Sequence, residues 1–237
     1  INELKSLDNL CISMDGREES NDKNRGKGSY KKAIAAIEIG KKYRIPVVVS
    51  ATLTKDNIND MEYLARLGKE MDFRVQYSIL YNYTDLNNEI KMTDKEIRST
   101  VKKIYDLKKQ GYPIYYADTV LKSAIHWPAS YDVRYFTSKD RDFTKGLGLF
   151  SCYHGKLKYQ IDADGRVVTC WAHNDQYAPN IRNLGLKGAL NKCKENKDCE
   201  ACCFLANIEH NAVMDLNFKN ILSMATIHII DALKIKR

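Results

Sequence analysis

No apolar run in the sequence approaches the roughly 18–20 residues that a membrane helix needs, so no segment reads as bilayer-spanning. No apolar leader of secretory type opens the chain either; it begins polar, on INELKSLDN, without an initiating Met. That opening is the one expected of a piece of a longer protein. Three motifs of common enzymes are missing: Gly26-Lys-Gly-Ser29 does not meet the P-loop pattern, and neither G-x-S-x-G nor H-E-x-x-H occurs. No internal repeat is visible. Cysteine is absent over the 140 residues between Cys11 and Cys152. What is present is ordinary: 237 residues, 44% apolar and 29% charged, the mixture of a globular chain of one domain or one with a small second. Disordered, collagen-like and disulfide-miniprotein classes are excluded.

Lys and Arg exceed Asp and Glu by 38 to 30. A basic balance can signal nucleic acid, but here the cations are interleaved with acids, as in KENKDCE and SKDRDFTK. With no Arg-rich stripe and no nucleic-acid motif, the charge reads as a solvated lysine-rich surface, and a nucleic-acid partner is not expected.

Six of the seven cysteines fall between Cys152 and Cys203. An odd total with an adjacent pair, Cys202-Cys203, suits a disulfide framework poorly. The reducing cytoplasm is the expected compartment, and there clustered cysteines point to metal. On ligand type alone, four soft thiolates suit zinc and iron–sulfur equally. Buried, unliganded thiols are the bland alternative.

Before residue 120 the pattern alternates. Leu10–Met14 reads as a short buried strand, with Cys11 a core thiol. Ser29–Tyr43 carries a helical stripe, and IPVVVSATL at Ile45–Leu53 reads as a strand buried on both faces. Ile58–Met71 is helical, Phe73–Tyr81 a third strand, and Thr93 with Glu96 a capping box opening a helix to about Gln110. Such alternation means a parallel α/β layer. Three strands leave the first as a bare edge, so further strands are expected upstream of residue 1. Residues 128–150 read as irregular, Leu157–Trp171 as a hairpin turning at Gly165, and Leu184–Asn191 and the stretch after Cys203 as helical. The division is placed at 1–135 and 136–237.

The run Ile12-Ser-Met-Asp-Gly16, then Glu18 to Asp22, Arg25-Gly26 and Gly28-Ser29, resembles the fourth-strand region of radical S-adenosylmethionine (SAM) enzymes. The next strand, VVVSATLTKDN ending at Asn57, matches the same pattern. Cys152, Gly165, Cys170 and the later C-x-x-C resemble the SPASM/twitch extension of that superfamily. The resemblance runs from residue 9 to about 205. It departs from the family in lacking C-x-x-x-C-x-x-C and the Gly-Gly-Glu stretch, which would precede residue 1, and its cysteines suffice for one auxiliary cluster, as in the twitch form.

The resemblance implies an α/β fold: the C-terminal half of a partial (β/α)6 barrel plus a cysteine-rich domain of hairpin and helices. It implies an oxidoreductase or maturase that, when intact, uses SAM and a second 4Fe-4S cluster to generate a 5′-deoxyadenosyl radical. This chain alone is expected to be inactive. Substrate would be a peptide or small molecule, and the electron donor a flavodoxin or ferredoxin. Ser13 and Arg25 match residues that contact SAM. For the auxiliary 4Fe-4S cluster the ligands expected are Cys152, Cys170, Cys199 and Cys202, with Cys193 and Cys203 as the possible substitutes. His154 and His173 flank that set, close enough in sequence to ligate or screen the cluster, with a packing or solvent-exposed role the expected one for each. The alternative is a non-catalytic zinc-binding α/β protein with an anionic or nucleic-acid partner.

Overall fold

The computed structural model describes residues 7–81, 89–170, 178–195 and 198–236. Three strands, β1 (Leu10–Ser13), β2 (Val47–Leu53) and β3 (Arg74–Ile79), form a parallel sheet in sequence order. Between them run the helices α1 (Glu18–Arg25), α2 (Ser29–Lys42) and α3 (Met61–Met71). Beyond β3, α4 (Asp94–Lys109) starts at the capping box, where the Thr93 side chain and Glu96 each satisfy a backbone N–H of the first turn. After α4 the chain returns to β3: Val75 donates to the Pro113 carbonyl and Tyr115 to that of Val75, at 2.8 and 3.0 Å. This parallel bridge at Ile114 gives the alternation one more step than the sequence pattern shows. β1 is the edge of the sheet.

β2 departs from expectation. Its residues alternate between buried Val47, Val49, Ala51 and Leu53 and half-buried Val48, Ser50 and Thr52. β3 repeats this, with Val75, Tyr77 and Ile79 buried. Only one face is fully packed, so the strand is not buried on both. The open face carries rows of polar residues in register: Ser13 beside Ser50 beside Gln76, and Thr52 beside Ser78. Cys11 also lies on this face and is exposed; it is not a core thiol. Its exposure follows from the strand period of two, because Ile12 takes the buried position.

α2 lies close on the packed face because Gly40 has no side chain. A Cβ there would overlap Val47 Cγ2. Gly40→Ala should cost about 1–3 kcal/mol through overpacking, read as a lower urea midpoint at unchanged m-value.

The later half is more ordered than its sequence suggests. α5 (Asp118–Ile125) follows the bridge, and residues 128–150 contain β4 (Tyr135–Thr137) and α6 (Arg141–Thr144). The hairpin is short, β5 (Gln160–Ile161) against β6 (Val167–Val168). α7 (Ile181–Glu195) is broken at Gly185, whose φ of 66° no regular helix contains. Then come β7 (Cys199–Cys202), α8 (Leu205–Met214) and α9 (Phe218–Lys236). β4 pairs antiparallel with β7, so the division expected at residue 135 falls inside β4. One hydrophobic core runs from Ile12 through Phe136 to Ala212 and takes in residues of both halves. Among the described residues, no helix is long and apolar enough to cross a membrane.

Candidate functional site

At the C-terminal end of β1 the chain turns through Asp15, which is buried. Arg25 clamps it with two bonds, Nε to Oδ2 at 2.7 Å and Nη2 to Oδ1 at 2.9 Å. The Thr52 N–H also donates to Oδ1, at 2.9 Å. Asn21 accepts from the Asp15 N–H, and Asn57 donates to the carbonyls of Asp15 and Thr52. The segment from Gly16 to Gly28 is largely α1, folded back so that Arg25 reaches the strand end. Asp22 holds the α1–α2 junction by accepting from the Gly28 and Tyr30 N–H groups, and those bonds lower its carboxyl pKa. Ser13 lies on the open polar face two residues before Asp15. The guanidinium of Arg25 is therefore committed to Asp15 at the mouth of the strand rather than turned to open solvent. Arg25→Ala would leave a buried carboxylate without its cation, at a cost of about 3–5 kcal/mol. A thermal melt checks this, and Arg25→Lys should recover only part of the loss, since Lys makes no bidentate contact.

The second site is built from the later half. Cys152, Cys170, Cys199 and Cys202 line one small cavity, closed by Tyr135, His154, Thr169, Phe204 and Asn207. Each thiol arrives by a different device. The Cys152 N–H donates to the Glu200 carbonyl at 2.7 Å, which fastens the residue-152 segment beside β7. Cys170 follows β6, brought back by the turn at Gly165, whose φ is 87°.

Cys199 and Cys202 lie three apart on a strand, a spacing that normally places side chains on opposite faces. The β4–β7 register shifts between Phe136 and Thr137: Ala201 faces Phe136, Cys199 faces Thr137, and Glu200 is the extra residue. This β-bulge rotates the alternation by one, so both cysteines reach the cavity. The C-x-x-C pair is thus carried by a bulged strand.

The other thiols lie elsewhere. Cys203 is fully buried on the core side, beside Tyr81, whose hydroxyl donates to the Cys203 carbonyl at 3.2 Å. Cys193 packs with Val167 and Ala189 in a separate small core. His154, expected in a packing or solvent role, is buried in the cavity wall, and His173 lies outside the described residues.

Electrostatically the four-thiol cavity resists charge. A bond to Cys152, burial and the neighbouring thiols push the Cys199 thiol far up. Burial does the same for Cys202, and lifts Cys203 to about 12. Four thiolates cannot share this space unless a cation replaces their protons. Among the described residues no three His, Cys, Asp or Glu side chains are drawn up around a point that could hold a metal ion. The fit lies in the donor chemistry: four soft sulfurs walling one cavity, with no carboxylate among the described residues of its lining, suit a soft metal or an iron–sulfur cluster.

Several of these residues gave no sequence signal. Asn207 donates to Cys170 Sγ, and Tyr135 and Phe204 wall the cavity, yet Asn207 and Phe204 sit in a stretch that reads only as helical and Tyr135 in one that reads as irregular. Asn21 lies buried in a helix that is otherwise polar throughout.

No family model matches the chain, and no curated protein matches it. Among solved structures it is similar to a hexahistidine-tagged anSMEcpe with bound AdoMet, a radical SAM enzyme, at 16% identity and a TM-score of 0.53. The match covers 95% of this chain and 68% of that one. The likeness is one of fold: a mixed α/β architecture resembling that of radical SAM enzymes.

Proposed function

We propose that the chain is part of a radical SAM enzyme, with its four cavity cysteines holding an auxiliary 4Fe-4S cluster. The observation that carries this reading is the meeting of Cys152, Cys170, Cys199 and Cys202 at one cavity, on a chain whose mixed α/β architecture resembles that of radical SAM enzymes. When bound, SAM and its own cluster supply a 5′-deoxyadenosyl radical by reductive cleavage, and the auxiliary cluster offers a site for substrate or an electron.

The chain's own residues position and shield. Arg25 and Asp15 brace the end of β1, and the polar face carrying Ser13, Ser50 and Gln76 offers hydroxyl and amide groups to a polar ligand. Ser13, and any nitrogen of Arg25 not spent on Asp15, would meet SAM there. Phe204, Tyr135 and Thr169 exclude water from the thiol cavity. The substrate class is a peptide or small molecule, and the electron donor a small flavodoxin- or ferredoxin-type protein.

Anaerobic purification with iron and sulfide tests the reading. A brown protein with thiolate-to-iron absorption is expected. A colourless protein holding one zinc would instead support the structural zinc alternative.

A further inference from the structure

The geometry points to Asn207 as the residue that sets the electronic environment of the cavity: its side-chain amide donates to the Cys170 sulfur and thereby raises the reduction potential of the cluster held there. The inference rests on the iron–sulfur reading above and deepens it.

Asn207 is in the first turn of α8 and is buried, 4% exposed. Its Nδ2 lies 3.4 Å from Cys170 Sγ, inside the cavity lining. A neutral thiol is a weak acceptor, a poor return for burying an amide whose unmet donor costs about 1–3 kcal/mol. A metal-bound thiolate is a strong, charge-assisted acceptor. The pairing makes physical sense when Cys170 carries negative charge.

One turn further along α8, Asn211 is also buried, and its Oδ1 accepts from the Tyr153 N–H at 3.0 Å, next to Cys152. The helix thus grips both cysteine segments on one face, through two amides four residues apart. Their roles differ: Asn211 holds backbone, whereas Asn207 touches sulfur. Hydrogen bonds to cluster sulfurs are among the groups that tune potential. A reduced cluster carries one more negative charge than an oxidised one, so a donor favours the reduced form. Being an amide, Asn207 does so independently of pH.

The test compares the wild-type chain with Asn207→Leu, Asn207→Asp and Asn211→Leu, each reconstituted anaerobically and titrated potentiometrically by EPR. At the wild-type midpoint, the reduced-to-oxidised ratio should fall about threefold in Asn207→Leu and about tenfold or more in Asn207→Asp, tenfold being about 59 mV for one electron. Asn211→Leu should melt earlier but keep the wild-type ratio, which separates an electronic role from a structural one. Equal potentials for wild type and Asn207→Leu, or equal shifts in Asn207→Leu and Asn211→Leu, overturn the inference. If the wild-type chain refuses iron, the cluster reading fails on that result alone. Cobalt(II) then carries the test: the thiolate-to-cobalt band should move to lower energy in Asn207→Leu and stay fixed in Asn211→Leu. An unmoved band, or no cobalt bound at all, rejects the role of Asn207.

Discussion

Replacing Cys199 with alanine should abolish iron–sulfur loading, whereas the same change at Cys193 should leave it within about twofold of wild type. The contrast comes from place rather than chemistry, because both thiols are buried and both lie in the cysteine-rich stretch. Cys199 lines the cavity in hydrogen-bond contact with the Cys152 thiol; Cys193 packs against Val167 and Ala189 in another core. Loss of a ligand should cost more than the roughly 10–100-fold that loss of an outer-sphere partner costs a metal site. Cys152→Ala, Cys170→Ala and Cys202→Ala should behave as Cys199→Ala does. Cys203→Ala should keep its iron, since that thiol lies beside the Tyr81 hydroxyl and outside the cavity lining. Iron and sulfide content per chain after anaerobic reconstitution reads all six. A Cys193→Ala chain that fails to load while Cys199→Ala succeeds would reverse the assignment.

Glu209→Gln should stabilise the protein at pH 8 by about 3 kcal/mol and have little effect near pH 4. Glu209 lies on α8 and is 2% exposed; its Oε2 accepts from the Ala117 N–H at 2.8 Å. Burial lifts its carboxyl to about 7 from 4.5, against the opposing pull of that N–H and of Lys108. An acid whose folded value is raised binds its proton more tightly in the folded state. Its contribution is therefore most favourable below about 4.5, declines as pH rises towards 7, and is flat above, at about 1.4 kcal/mol per unit. Gln keeps an acceptor for Ala117 and removes the titration. The difference in urea unfolding free energy between variant and wild type, followed from pH 4 to pH 8, isolates this group from other titrating residues. A difference that does not change with pH would show that Glu209 titrates as it does in the unfolded chain.

The parallel layer was legible because local rules and the fold agree there. The helical stripe of Ser29–Lys42, the β-branched run at Val47–Leu53 and the Thr93–Glu96 box each carry their own signal. The faces of the sheet were less so. A run such as VVVSATL fits a strand buried on both sides, and which side a helix layer covers is decided by tertiary contact, not by the run itself. The exposure of Cys11 follows from the same fact.

At the thiol cavity, the candidate cysteines stood out by type and spacing, but the means of bringing Cys199 and Cys202 to one face did not. That means is a bulge, and it exists only because β7 pairs with Tyr135–Thr137, a strand of three residues too short to show periodicity. Asn207 was invisible for a related reason. An asparagine in the first turn of a helix is unremarkable until the structure places a sulfur 3.4 Å from its amide.

The most direct test of the central claim is native mass spectrometry of the anaerobically reconstituted chain, beside a variant in which Cys152, Cys170, Cys199 and Cys202 are all alanine. One 4Fe-4S cluster is expected on the wild-type chain and none on the quadruple variant, with the fold of both verified by circular dichroism. A wild-type chain that binds only a single zinc, or a quadruple variant that still binds the cluster, would contradict it.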